Sequence, residues 1–146
     1  MLSIGVDIGG TKVAAGVVDE DGEILRHLVR PTPSRSPEAV ENAIVEVVDS
    51  LSDGLPVKSA GIGAAGWVDT EQALVRFSPH LAWRNEPLRD RLSERIDLPV
   101  IVDNDANAAA WAEYEFGAGR DSRVMTCITL AVSYTHLRAH ETSLPL

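Results

Sequence analysis

Asp7, Gly9, Gly10, Thr11 and Lys12, inside the run VDIGGTKVAAGVV (6–18), combine a carboxylate, two bare backbone units, a hydroxyl and an ammonium. That combination suits a phosphate. Adjacent glycines let backbone approach a ligand closely and can aim successive N–H groups into one concavity, while Thr11 adds a donor and Lys12 a charge. Asp7, interrupting an apolar strand, has the chemistry to hold Mg²⁺ through water, because that ion takes few carboxylates together with substrate phosphates. The bland alternative is a hairpin whose Gly-Gly merely supplies positive φ. It leaves the carboxylate unexplained. A Walker loop is excluded by spelling, since Thr11 precedes Lys12.

The second cluster is VIVDNDANAAAWAE (100–113), where an apolar strand runs into Asp103, Asn104 and Asp105 at the start of an alanine-rich helix. Ligands of α/β proteins bind beyond the carboxyl ends of strands. A helix N-terminus also suits an ionised carboxylate, so Asp105 reads as a proton acceptor. One Asn or Asp there would be ordinary capping. Three in succession exceed what a cap requires.

Other candidates carry less. GIGAAG (61–66) spells the dinucleotide fingerprint, but WVDTEQALVRF follows it as strand, turn and strand, with no helix to receive a pyrophosphate. It reads instead as a strand end with crowded backbone. Trp67, Trp83 and Trp111 read as core or pocket walls, His27 as a solvated strand residue, and His80 in SPHLAW as a loop or core histidine beside a pocket. His136 and His140 have metal-ligand spacing for a helix, but two ligands without a third are weak.

The elements that must position these residues are legible from period and punctuation. Residues 2–8, 12–18 and 23–29 read as three strands joined by short turns, an antiparallel meander. Val40, Ala43, Ile44, Val47, Val48 and Leu51 fall at helical spacing, with Ser36 as N-cap, Pro37 at the first position and Gly54 as stop. VKSAGIGAA reads as a buried strand; Leu88, Leu92 and Ile96 as a helix ended by Pro99; VIVDN as a strand; DANAAAWAEYEF as a helix ending at Gly117; RVMTCITL (123–130) as a last strand. The order β-β-β-α-β-α-β-α-β predicts an α/β domain, a mixed sheet with flanking helices.

Composition sets bounds. The 146 residues carry a net charge of −9, which disfavours nucleic acid and anionic membrane as partners. One cysteine precludes an internal disulfide and fits a reducing, cytoplasmic setting. No apolar run approaches the ~20 residues of a membrane span.

Taken together, DIGGTK, GIGAAGWVD and VDNDANAAAWAE at these separations resemble the ROK family of sugar kinases and repressors, on its bacterial glucokinase side, over residues 1–130. The resemblance implies an actin-like ATPase (ribonuclease H-like) fold whose lobes close over ATP and a hexose. It implies ATP-dependent phosphorylation of a hexose, glucose first, at the 6-hydroxyl. Gly9, Gly10, Thr11 and Lys12 match the family's first phosphate loop, with Asp7 near the metal and phosphates. Asn104 matches its sugar-hydroxyl ligand, Asp105 its catalytic base, and Gly66 a sugar-contacting backbone position. ATP and Mg²⁺ are the implied cofactors, and the parent is expected to be a homo-oligomer.

The chain departs from the family pattern after CITL. The family continues with a second glycine-rich phosphate loop, whereas here AVSYTHLRAHETSLPL has no glycine and no clear period, like a non-native or disordered tail. The family's sugar-contacting Glu and His and its structural zinc site belong to sequence downstream. The expected organisation is an N-terminal lobe over 1–120, a truncated first strand of the second lobe over 121–130, and the tail over 131–146. The 146 residues alone are expected to be inactive. Three readings compete: a hexose kinase, a sugar-responsive regulator, and an inactive remnant. Regulators of this family carry a DNA-binding segment ahead of DIGGTK, and only six residues precede Asp7 here, which favours the kinase.

Overall fold

Alternation decides the first sheet. In strand β1 (Leu2–Ile8) every second residue, Ile4, Val6 and Ile8, is buried, and in β2 (Lys12–Val18) Val13, Ala15 and Val17 do the same. A period of two puts each set on one face. Helix α1 (Pro37–Ser52) covers that face with Val40, Ile44, Val47, Val48 and Leu51, all buried. Burying each such side chain is worth roughly 1.5–3 kcal/mol, so this layer holds the fold together. The expected helix signals operate: the Ser36 hydroxyl accepts from the Ala39 N–H at 3.1 Å, Pro37 opens the helix, and Gly54 follows it at φ +70°. Strand β3 (Ile24–Pro31) contributes Arg26, whose guanidinium donates to the Asp53 carbonyl at 2.8 Å and closes the helix's C-terminal end.

The computed structural model describes residues 1–33, 36–130 and 135–141, with Leu130 and 135–141 given by backbone alone. Most of the segment expected as a tail, 131–134 and 142–146, lies outside the described residues. The described chain forms two compact units, residues 1–105 and 106–146.

The first unit is built on a five-stranded sheet in the order β3-β2-β1-β4-β8, where β4 is Val57–Ala64 and β8 is Val100–Asn104. The meander is antiparallel, as expected; β1, β4 and β8 are parallel, so the sheet is mixed. A smaller sheet, β5 (Trp67–Val68), β6 (Val75–Phe77) and β7 (Arg84–Glu86), fills the connection between β4 and β8. The sequence reading anticipated β5 and β6 but missed β7, whose three residues carry no apolar alternation. Helix α2 (Leu88–Ser93) is shorter than expected. Leu88, Leu92 and Ile96 are all buried as their spacing predicts, but the chain leaves the helix after Ser93 and ends on a turn in which the Arg95 and Ile96 N–H groups both bond the Leu92 carbonyl.

In the second unit, α3 (Asp105–Glu115, beginning at the last residue of the first unit) is followed by a hairpin of β9 (Val124–Leu130) and β10 (Thr135–Glu141). His136 and His140 therefore lie on a strand, and the helical spacing that suggested a metal pair does not arise. Among the described residues no group of three or more metal-ligating side chains gathers, and no helix is long and apolar enough to cross a membrane. Trp83 is in the core, whereas Trp67 and Trp111 are exposed, so of the two readings, core or pocket wall, the core one does not hold for them.

Candidate functional site

The three parallel strands end in register. Asp7 of β1 stands beside Gly63 of β4, which stands beside Asp103 of β8; one step on, Ile8, Ala64 and Asn104 form the next row. Adjacent strands lie about 4.8 Å apart, so the two clusters picked from the sequence meet across one strand, at the carboxyl edge of the sheet. Lys12 at the start of β2, the 9–11 turn, Gly66 and Asp105 complete the same edge, all within the first unit.

The β1–β2 turn differs in detail from both sequence readings. The only positive-φ glycines among the described residues are Gly22 and Gly54, so neither Gly9 nor Gly10 is there to supply a left-handed turn. Gly9 closes the turn itself, its N–H donating to the Lys12 carbonyl at 3.0 Å, and so adds no donor to a nest. Gly10 is needed for space: a Cβ there would lie 2.8 Å from the His80 Cβ. The turn is clamped from outside by Thr32, just past β3, whose hydroxyl donates to the Gly9 carbonyl at 2.7 Å and whose N–H donates to the Thr11 carbonyl at 3.0 Å. Thr32 carries no signal in the sequence, because its role comes from the β2–β3 pairing, which brings it to Gly9, 23 positions away.

Gly66 is crowded, as expected of a strand end. A Cβ there would run into the Phe77 carbonyl and approach the Ser78 Cα at 3.2 Å. The Ala65–Gly66 corner is held on two sides. Buried Ser78 donates its hydroxyl to the Ala65 carbonyl at 2.6 Å, and the Asn104 side-chain amide donates to the Gly66 carbonyl at 2.7 Å. No helix starts at GIGAAG; β5 follows it. The segment from Phe77 to His80 thus lies against both glycine sites, Gly66 through Phe77–Ser78 and Gly10 through His80. His80, read from the sequence as a loop or core histidine beside a pocket, lies at this edge.

Electrostatics mark Asp7. Its carboxyl reaches solvent, but the surrounding strand ends desolvate it in part and raise its pKa above the ordinary 3.8; the negative charge of Asp105 pushes in the same direction, and Lys12 opposes both. Two carboxylates and one ammonium thus share a small space. A divalent cation, or the cation that accompanies a polyphosphate, would relieve the repulsion, and Asp7 is the candidate to hold it.

Comparison with known proteins gives the family. Residues 3–132 match the model of the ROK family, and the chain belongs to that family. It is 53% identical over 129 residues to the glucokinase of Streptomyces coelicolor, covering 88% of this chain and 40% of that protein. It is 43% identical over 129 residues to the glucokinase of Thermotoga maritima, covering 87% and 41%. Among solved structures, a ROK family glucokinase from Streptomyces griseus in complex with glucose and AMPPNP superposes with a TM-score of 0.87 at 51% identity, over 95% of this chain and 43% of that one. The fold is therefore that of the actin-like ATPases, and the chain spans about two-fifths of the length of the curated relatives it matches.

Proposed function

We propose that this chain is the N-terminal lobe of a sugar kinase that transfers the γ-phosphoryl group of ATP to the 6-hydroxyl of a hexose, glucose first. The observation that carries the reading is the register of β1, β4 and β8, which brings a glycine turn with Thr11 and Lys12 to the same sheet edge as Asn104 and Asp105. Glucokinases at 43% identity and above support the kinase over a regulator.

In this reading Gly10, Thr11 and Lys12 receive the phosphates of ATP. Asn104 and the backbone at Gly66 hold the sugar hydroxyls. Mg²⁺, arriving with the nucleotide and held through water by Asp7, would supply charge neutralisation. Asp105 accepts the proton of the 6-hydroxyl while its oxygen bonds to the γ-phosphorus, and the bond from that phosphorus to the bridging oxygen breaks to release ADP. Phosphoryl transfer asks mainly for positioning and charge neutralisation, so a positioned carboxylate serves as base.

The test uses a full-length chimera in which residues 1–130 replace the matching segment of the Streptomyces coelicolor glucokinase. Loss of a positioned base costs typically ~10²–10⁴ in rate. Asp105→Ala is expected to lower kcat by that much while hexose affinity, measured by calorimetry, stays within about tenfold. Near-normal kcat would overturn the assignment.

A further inference from the structure

The carboxyl end of β8 is held by a residue that belongs to neither sequence cluster. Gln72, in the turn between β5 and β6, has φ 54°, one of three non-glycine residues in the left-handed region among the described residues. Such a conformation persists only where its surroundings over-determine it, and it concentrates at functional sites. The surroundings here are specific. The Asp69 carboxylate accepts from the Ala73 and Leu74 N–H groups at 3.0 Å each, and the Asp69 carbonyl accepts from the Gln72 N–H at 3.2 Å. Arg89 anchors the same turn from α2, its guanidinium donating to the Glu71 carbonyl at 3.0 Å and its N–H to the Ala73 carbonyl at 3.1 Å.

Fixed in this way, Gln72 addresses two successive residues of β8. Its carbonyl accepts from the Val102 N–H at 3.1 Å, and its side-chain amide donates to Asp103 Oδ2 at 3.0 Å. The other oxygen of Asp103 accepts from the Asn104 N–H at 2.7 Å, and the Asn104 side chain donates onward to Gly66. The chain of bonds runs from an exposed turn to the residue expected to meet the sugar.

We propose that Gln72 is a positioning residue for the acceptor half of the reaction: it fixes Asp103, and through Asp103 the backbone of Asn104, so that Asn104 and Asp105 meet the hexose in one geometry. The proposal rests on the kinase reading above. It separates the two substrates, because Gln72 braces β8 and makes no bond to the β1–β2 turn.

Gln72→Gly is the informative variant. Glycine accepts the left-handed conformation and keeps the carbonyl bond to Val102, so only the side-chain bond to Asp103 is removed. In the 146-residue chain, hydrogen exchange followed by NMR should show protection of the Asn104 backbone amide falling at least tenfold, with the β1 amides unchanged. In the full-length chimera, the hexose KM should rise about tenfold, the scale of one lost hydrogen bond to a charged group, with the ATP KM within about twofold. Asp103→Ala should produce a similar rise, and the double variant no more than either alone. Unchanged Asn104 protection, or equal shifts in both KM values, would overturn the proposal. The Asp105→Ala control separates the layers. If that variant is inactive while Gln72→Gly leaves the hexose KM unmoved, the positioning role falls and the kinase reading stands. If Asp105→Ala keeps near-normal kcat, the kinase reading falls, and the exchange measurement alone decides whether Gln72 holds Asn104.

Discussion

The side-chain amide of Asn104 donates to the carbonyl of Gly66 at 2.7 Å in a buried setting, tying the end of β8 to the corner that follows β4. This one bond joins two regions that the sequence separates by 38 positions. It also fixes which way the Asn104 carboxamide faces.

Asn104→Ala should therefore cost twice. Removing the donor leaves the Gly66 carbonyl buried without that partner, a loss of about 1–3 kcal/mol in stability. Urea denaturation of the 146-residue chain measures it. In the full-length chimera the hexose KM should rise more than the ATP KM. Equal stability of variant and parent would show that the bond is replaced by solvent and carries no structural weight.

The Gly10–His80 contact gives a second test with an internal rescue. Gly10→Ala forces a Cβ against the His80 Cβ, 2.8 Å away, so either the turn or the Ser78–His80 segment must shift. The expected result is a rise of several-fold in the ATP KM of the chimera, with the hexose KM moving less. His80→Gly removes the opposing Cβ and should restore much of the loss when combined with Gly10→Ala. A double variant as impaired as the single one would mean that the glycine is required by the ligand and not by His80.

The chain's own pattern disclosed the elements that bury a periodic face and the residues that sit at their ends. Ile4, Val6 and Ile8 against Val40, Ile44 and Val47 are readable because alternation meets helical spacing. Asp7 and Asn104–Asp105 are readable because polar residues interrupt apolar strands. What stayed hidden depends on pairing across sequence. Thr32 acts on Gly9 and Thr11 through the β2–β3 register, and Gln72 acts on Asp103 from a turn whose conformation is set by Asp69. The crowding of Gly10 by a side chain is not legible either, because the residue that crowds it, His80, is 70 positions away. The β7 strand was missed because Arg84-Asn85-Glu86 holds its place by pairing with β6 and not by a buried face.

Thr32 offers a third prediction. Its hydroxyl and its N–H both hold the β1–β2 turn, so Thr32→Val keeps shape and the backbone bond but removes the donor to the Gly9 carbonyl. The loss should be about 0.5–1.5 kcal/mol of stability, read by urea denaturation, and a few-fold rise in the ATP KM of the chimera. Thr32→Ser retains the hydroxyl and should recover most of both effects. If serine and valine behave alike, the hydroxyl bond does not hold the turn.

Asp7 makes the last prediction, and its sign follows from the direction of its shift. Partial desolvation and the neighbouring charge of Asp105 raise its folded pKa above the ordinary 3.8, so the folded chain binds its proton more tightly than the unfolded chain does. Where the folded state binds more protons, stability falls as pH rises; the penalty grows from the ordinary carboxylate pKa up to the raised one and is constant above it. At neutral pH the ionised Asp7 is therefore a net cost to folding, offset in part by Lys12. Asp7→Asn removes the charge with little change in shape and should raise the Tm of the 146-residue chain at pH 7. The gain should shrink when both proteins are compared below the ordinary carboxylate pKa, where Asp7 is protonated in either state. In the full-length chimera the same substitution should weaken ATP turnover, because the charge that strains the fold is the one proposed to hold the nucleotide's cation. A Tm that falls at neutral pH would show instead that the Asp7–Lys12 attraction outweighs burial and the repulsion from Asp105.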